Sequence, residues 1–220
     1  MKGDARYEPG TSGTGVDLKS ICNGAPNMRL VVAISGASGA VYGIRALEAL
    51  KALGVETHLV MTDAARETVR LETDSTKEEI KKLATAAYDI NDIAAKISSG
   101  SYKTDGMLVI PCSMKTLAGI ATGYSDNLLL RVADVTLKER RRLVLVVRET
   151  PLSLIHLENM VRVTTAGAVV LPAMPAFYNR PGTVDEIVDQ IVGRALDLFG
   201  IDHGLSKAWR GEVRKGHRRG

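Results

Sequence analysis

Short polar clusters, each directly behind an apolar run, hold the residues of this chain best suited to chemistry. The first is Gly36-Ala37-Ser38-Gly39, which follows Leu30–Ser35 and opens a helical pattern. Glycines let a backbone approach a ligand closely, and Ser38 adds a hydroxyl. A helix that starts behind such a turn presents unpaired N–H groups at the positive end of a dipole. That combination takes an anion, typically a phosphate. A second polar turn, Pro111-Cys112-Ser113-Met114-Lys115-Thr116, also opens a helix, and Arg148-Glu149 stands ahead of Pro151. Thr62 and Asp63 follow Glu56–Met61, and the segment Pro172-Ala173-Met174-Pro175-Ala176-Phe177-Tyr178 follows Ala168–Leu171. Two anion-cradling turns, an arginine and a glutamate amount to a phosphate site with an acid–base group beside it.

Each cluster also has a plainer explanation. The glycine spacing is G-x-x-G-x-x-x-G, neither the dinucleotide fingerprint nor a nucleotide-triphosphate loop, and small residues also let a helix pack tightly on its strand. Ser113 and Thr116 could be helix caps, and Arg148 and Glu149 a surface pair. Asp63 stands where a ribose-binding acid would, but the glycine spacing opposes that role. His156, in SLIHLENM, suits a core or capping position better than a catalytic one. In the cluster Lys138-Glu139-Arg140-Arg141-Arg142, solvated cations at a helix end account for most members, with Lys138 the exception. Trp209, late in the chain among charges, could close a lid over a flat ligand.

The elements that must position these residues follow from periodicity. Strand-like runs recur at Leu30–Ser35, Glu56–Met61, Met107–Ile110, Leu143–Val147 and Ala168–Leu171, short and apolar as in strands buried on both faces. Helical patterns fall between them: Val41, Ile44, Leu47 and Leu50 share a face, and others span Asp126–Arg140 and Val184–Phe199. Alternating strand and helix predicts a single α/β domain with a doubly wound, Rossmann-like or flavodoxin-like parallel sheet, its ligands at the carboxyl ends of the strands. The polar, Gly/Pro/Ser-bearing residues 1–27 are expected to be a flexible extension, residues 28–210 the domain, and residues 211–220 a basic tail.

Bulk composition narrows the function classes. The chain has 220 residues, 45% hydrophobic and 25% charged, with 4% aromatics, so its core must be aliphatic. Much of the net charge of +4 lies in the tail, where cations without interleaved aromatics argue against nucleic-acid binding. Cys22 and Cys112 offer neither a disulfide framework nor metal-ligand spacing, which fits the cytoplasm. No apolar run approaches the ~20 residues of a membrane span.

Taken in order, AISGASGAVYG, LVMTDAA, LETD, PCSMKTLAGIATG, DNLLLRVADVTLKERRRLVLVVRETPLSLIHLENM, GAVVLPAMPAFYNRP and KAWRG resemble the UbiX-type flavin prenyltransferases. That family was formerly assigned as phenolic-acid and ubiquinone-pathway decarboxylases. The resemblance implies an FMN site made of Gly36, Ala37 and Ser38, Thr62, the turn Ser113, Met114, Lys115 and Thr116, and Arg148. It implies dimethylallyl monophosphate held by Tyr178 and Arg194. Lys138 and Glu149 would stand near the departing phosphate, and Glu72 would act from a neighbouring subunit. Trp209 would close the site, and Ser38 and Glu149 would relay protons. The implied activity is metal-independent transfer of a dimethylallyl group to N5 and C6 of reduced FMN, supplying prenylated FMN to a UbiD-type decarboxylase. Family members form closed homo-oligomers, commonly dodecamers. Two alternatives share the flavin site: FMN-dependent cysteine decarboxylases, whose P-x-M-N motif is broken here by Pro175, and a non-catalytic flavin carrier, which would not require Glu149, Tyr178 or Arg194.

Overall fold

Side chains in the run Arg29–Ile34 alternate between two aliphatic clusters, Leu30, Val32 and Ile34 to one side, Val31 and Ala33 to the other, all fully buried. A strand that buries both faces belongs inside a parallel sheet with helices on each side. The computed structural model, which describes residues 28–206, has this architecture. Strands β1 (Arg29–Ile34), β2 (Glu56–Met61), β3 (Ala86–Tyr88), β4 (Gly106–Cys112), β5 (Arg142–Val147) and β6 (Val169–Val170) form one sheet in the order β3-β2-β1-β4-β5-β6. Every pairing is parallel. Helices α1 (Ala40–Ala52), α2 (Asp63–Glu72), α3 (Lys77–Leu83) and α7 (Val184–Asp197) cover one face, and α4 (Met114–Thr122), α5 (Leu128–Lys138) and α6 (Leu154–Thr165) the other.

The doubly wound expectation is borne out, with adjusted boundaries. The third expected strand extends to Gly106–Cys112, and the last shortens to Val169–Val170. β3 was not anticipated: Ala86-Ala87-Tyr88 has no β-branched residue, and pairing with β2 alone makes it a strand. Periodicity also left out α2, α3 and α6. Polar side chains dominate α2 and α3, which end up with two and one buried residues respectively and are held by Thr62 and Thr76 caps. His156 is a capping residue: its Nδ1 accepts from the Ser153 N–H at 3.2 Å while Ser153 Oγ caps α6.

Chain order places the functional rim. From β1 the chain runs outward to β2 and β3, then returns to lay β4 on the other side of β1, so the loops after β1 and β4 diverge and leave a crevice. The opposite, amino rim carries a polar network around the buried His58, whose ring nitrogens contact Tyr88 Oη and Glu56 Oε1, each at 2.9 Å. Arg29 Nε lies 2.8 Å from the same Glu56 oxygen. No helix among the described residues is long and apolar enough to cross a membrane.

Candidate active site

Ser35 ties the two walls of the crevice together. Buried at the end of β1, it donates from Oγ to the Pro111 carbonyl at 2.9 Å and accepts the Ser113 N–H at 2.7 Å. This fixes the β4 turn against the β1 turn. Ser113 then caps α4, its Oγ accepting from Thr116 N and donating to Thr116 Oγ1. The first-turn N–H groups of Met114 and Lys115 have no intrahelical acceptor, so α4 presents donors to the crevice. Both explanations of Ser113 therefore hold at once: it is a cap, and the helix it caps points its positive end at the site.

The other turn differs from expectation. Gly39 takes φ +104°, a conformation that favours glycine, and Gly36 leaves room where a Cβ would stand 2.3 Å from the Ala64 Cβ. The glycines thus serve chain geometry as well as ligand approach. At the start of α1, the N–H groups of Gly39 and Ala40 donate to Glu72 Oε2 at 2.8 and 2.9 Å. A carboxylate of the same chain already lies at this helix start. Glu72, expected to act from a neighbouring subunit, lies within its own chain at the end of α2 beside the Ser38 turn.

Around this pair of turns stand the exposed Ser38, Lys115 and Glu149, the half-buried Thr62 and Arg148, and the buried Ala37, Met114 and Thr116. Thr62 Oγ1 caps α2 by accepting from Ala65 N. Glu149 Oε1 accepts the Thr150 N–H at 3.0 Å. Sequence reasoning missed Tyr42, one turn into α1. Burial pushes its phenol up, and the Arg148 cation opposes that shift. Asp63 pairs with Arg66 at 2.8 Å and is largely exposed, a solvated pair and not a ribose acid. Cys112 is wholly buried, and burial raises its thiol to about 12, so it stays protonated and is no nucleophile.

Two further groups lie elsewhere on the chain. Tyr178 and Arg194 do come together, on a cavity of about 520 Å³ between α7 and the segment after β6, which Gln190, Asp197 and His203 also line. None of the crevice residues lines that cavity. Lys138 ends α5, four residues before β5 begins, and so stands at the amino rim beside Gly100 and Glu139, to which its Nζ donates at 2.5 Å. Within one chain it cannot join Ser38, Arg148 and Glu149. Trp209 lies outside the described residues, as do residues 1–27 and the tail 211–220.

The donors present suit a flavin phosphate: one uncovered helix start, hydroxyls at Ser38 and Thr62, and the Arg148 guanidinium. The chain is similar to known proteins along most of its length. The flavoprotein family model matches residues 22–196. A probable UbiX-like flavin prenyltransferase of Bacillus subtilis (strain 168) is 56% identical over 194 residues, 88% of this chain and 95% of the relative. The crystal structure of AnUbiX (PadA1) in complex with FMN and dimethylallyl pyrophosphate superposes with a TM-score of 0.84 at 55% identity, covering 86% of this chain and all of that one. A dodecameric FMN-dependent UbiX-like decarboxylase from Escherichia coli O157:H7 gives 0.82 at 54% identity, over 84% of this chain and all of the other.

Proposed function

We propose, from the premise that this chain belongs to the flavoprotein family and within it to the UbiX-type flavin prenyltransferases, that it joins a dimethylallyl group to reduced FMN. The observation that carries this is the crevice between β1 and β4, where the start of α4 shares a rim with Arg148 and Glu149 at the end of β5. Bound there, the reduced flavin supplies two nucleophilic ring positions, N5 and then C6. The residues that would hold it are Gly36, Ala37, Ser38, Thr62, Ser113, Met114, Lys115, Thr116 and Arg148. The α4 amides and Arg148 take the phosphate charge, and Ser113 and Thr62 keep the two helix starts in place.

The chain's own groups account for the rest without a metal. An allylic phosphate leaves when cations and proton donors meet its growing charge, and Arg194, Tyr178 and Lys138 are of that kind. Glu149 holds or moves the proton, with Ser38 as its relay partner, and the Glu72 carboxylate keeps the Ser38 turn in place. Trp209 shields the site from water. The donor is dimethylallyl monophosphate, and the product, prenylated FMN, passes to a UbiD-type decarboxylase.

Since Tyr178, Arg194 and Lys138 lie apart from the crevice in one chain, the complete site draws on several copies, in a homo-oligomer of the dodecameric kind. The surface of α6 supports assembly. Leu154, Ile155 and Val161 are 70%, 68% and 66% exposed on a helix that starts five residues after Glu149, a large apolar face for a free monomer.

Anaerobic incubation with reduced FMN and dimethylallyl monophosphate, followed by mass analysis of the extracted flavin, tests this. A flavin heavier by one C5 prenyl unit is the expected result. Tightly bound but unmodified flavin with either the mono- or the diphosphate would overturn the prenyl transfer and leave a flavin carrier.

A further inference from the structure

The cavity that holds Tyr178 and Arg194 also contains a carboxylate, Asp197, on the same face of α7. A free carboxylate in a cavity meant for an anion works against binding, but both oxygens of this one are engaged. Oδ2 accepts from Arg194 Nη1 at 3.3 Å, and Oδ1 lies 3.1 Å from His203 Nε2. The direction of the second contact is set by the other side of the ring. His203 Nδ1 accepts the Leu205 N–H at 2.9 Å, so it carries no proton, and the proton of the neutral imidazole sits on Nε2, facing Asp197. His203 is 5% exposed, and its ring fits against α7 because residue 193 is glycine: a Cβ there would stand 2.6 Å from the ring carbon Cε1.

An exposed Arg–Asp pair three residues apart on a helix holds its partners weakly, because each long side chain gives up rotamer freedom to meet the other. A buried imidazole that clamps one carboxylate oxygen removes much of that cost before Arg194 arrives. Arg194 then keeps most of its five N–H donors for a ligand in the cavity.

We propose that His203 and Asp197 are positioning residues that hold Arg194 toward the phosphate of the prenyl donor, an inference that rests on the assignment of Arg194 made above. They touch neither the reacting atoms nor the flavin. Steady-state kinetics on the full chain, with reduced FMN saturating and dimethylallyl monophosphate varied, test it in Asp197→Asn and His203→Gln. Both substitutions should raise KM for the donor by about tenfold while kcat and FMN affinity stay within about twofold. In an Arg194→Ala background the same substitutions should change KM no further, since what they position is gone.

Increments that persist undiminished in the Arg194→Ala background would mark a general structural role and overturn the proposal. So would an unchanged or lowered KM in Asp197→Asn, the latter meaning that this carboxylate merely repels the donor. If His203→Gln fails to fold, Asp197→Asn, an isosteric change at an exposed position, carries the test alone. Should Arg194→Ala itself leave KM unchanged, the assignment of Arg194 falls first, a result distinct from failure of the coupling.

Discussion

Replacing Ser35 by alanine should show how much of the crevice depends on one hydroxyl. The side chain is buried and bridges β1 to β4, donating to the Pro111 carbonyl at 2.9 Å and accepting the Ser113 N–H at 2.7 Å. Pro111 O also accepts the Ser35 backbone N–H at 3.2 Å and stays satisfied. The Ser113 N–H does not. Losing a hydrogen bond while stranding a shielded donor costs about 2 kcal/mol. For a chain of this size that corresponds to a fall in Tm of roughly 4–8 °C, read at fixed protein concentration because assembly makes Tm concentration-dependent. Since the freed N–H belongs to the cap residue of α4, FMN affinity should fall as well. A Tm within about 1 °C of the parent, with FMN affinity intact, would refute the claim that this bridge holds the two turns together.

Acid stability should depend on Glu56. The Arg29 hydrogen bond, followed by that of His58, brings its carboxyl down to about 2 from 4.5. A depressed carboxyl favours the folded state at pH above 4.5, and this contribution is lost as pH falls from there toward 2. Burial lowers the His58 imidazole from 6.5, so its share begins to fall already below that pH. Glu56→Gln should therefore flatten the stability profile between pH 4.5 and 2, as followed by denaturant unfolding, and an unchanged slope would count against the network. On α6, Ile155→Glu should leave the far-UV spectrum unchanged yet reduce the particle mass by light scattering, because the side chain is 68% exposed in the chain alone. Undiminished mass would move the subunit contact off this helix.

The crevice was legible in the sequence because it is local. A strand followed at once by a polar turn and a helix start reads the same in one dimension and in three, and this placed Ser38, Thr62, Ser113 and Arg148 on one rim. Residues defined by distant partners left no such trace. Ser35 looks like the last residue of a strand until Ser113, 78 positions later, meets it. Tyr42 matters through Arg148, and His203 through the glycine at 193 that admits its ring. β3 is a strand through its pairing with β2 and not through its residues. The place of Lys138 was available but overlooked: a helix that leads into a parallel strand must end at that strand's amino end, away from the ligand rim.

That place for Lys138 sets a rule for mixtures. When each catalytic crevice takes its lysine from one chain and its glutamate from another, an intact copy assembled beside a defective one cannot be fully active on its own. Activity in a mixed population then falls in step with the fraction of good chains when the other chains lack one of the two groups, and as its square when they lack both. Two different defective chains, one lacking the lysine and one the glutamate, restore some competent crevices when assembled together. How harmful an altered copy is depends on whether it lacks one of the two groups or both, and on which chains meet it at each crevice.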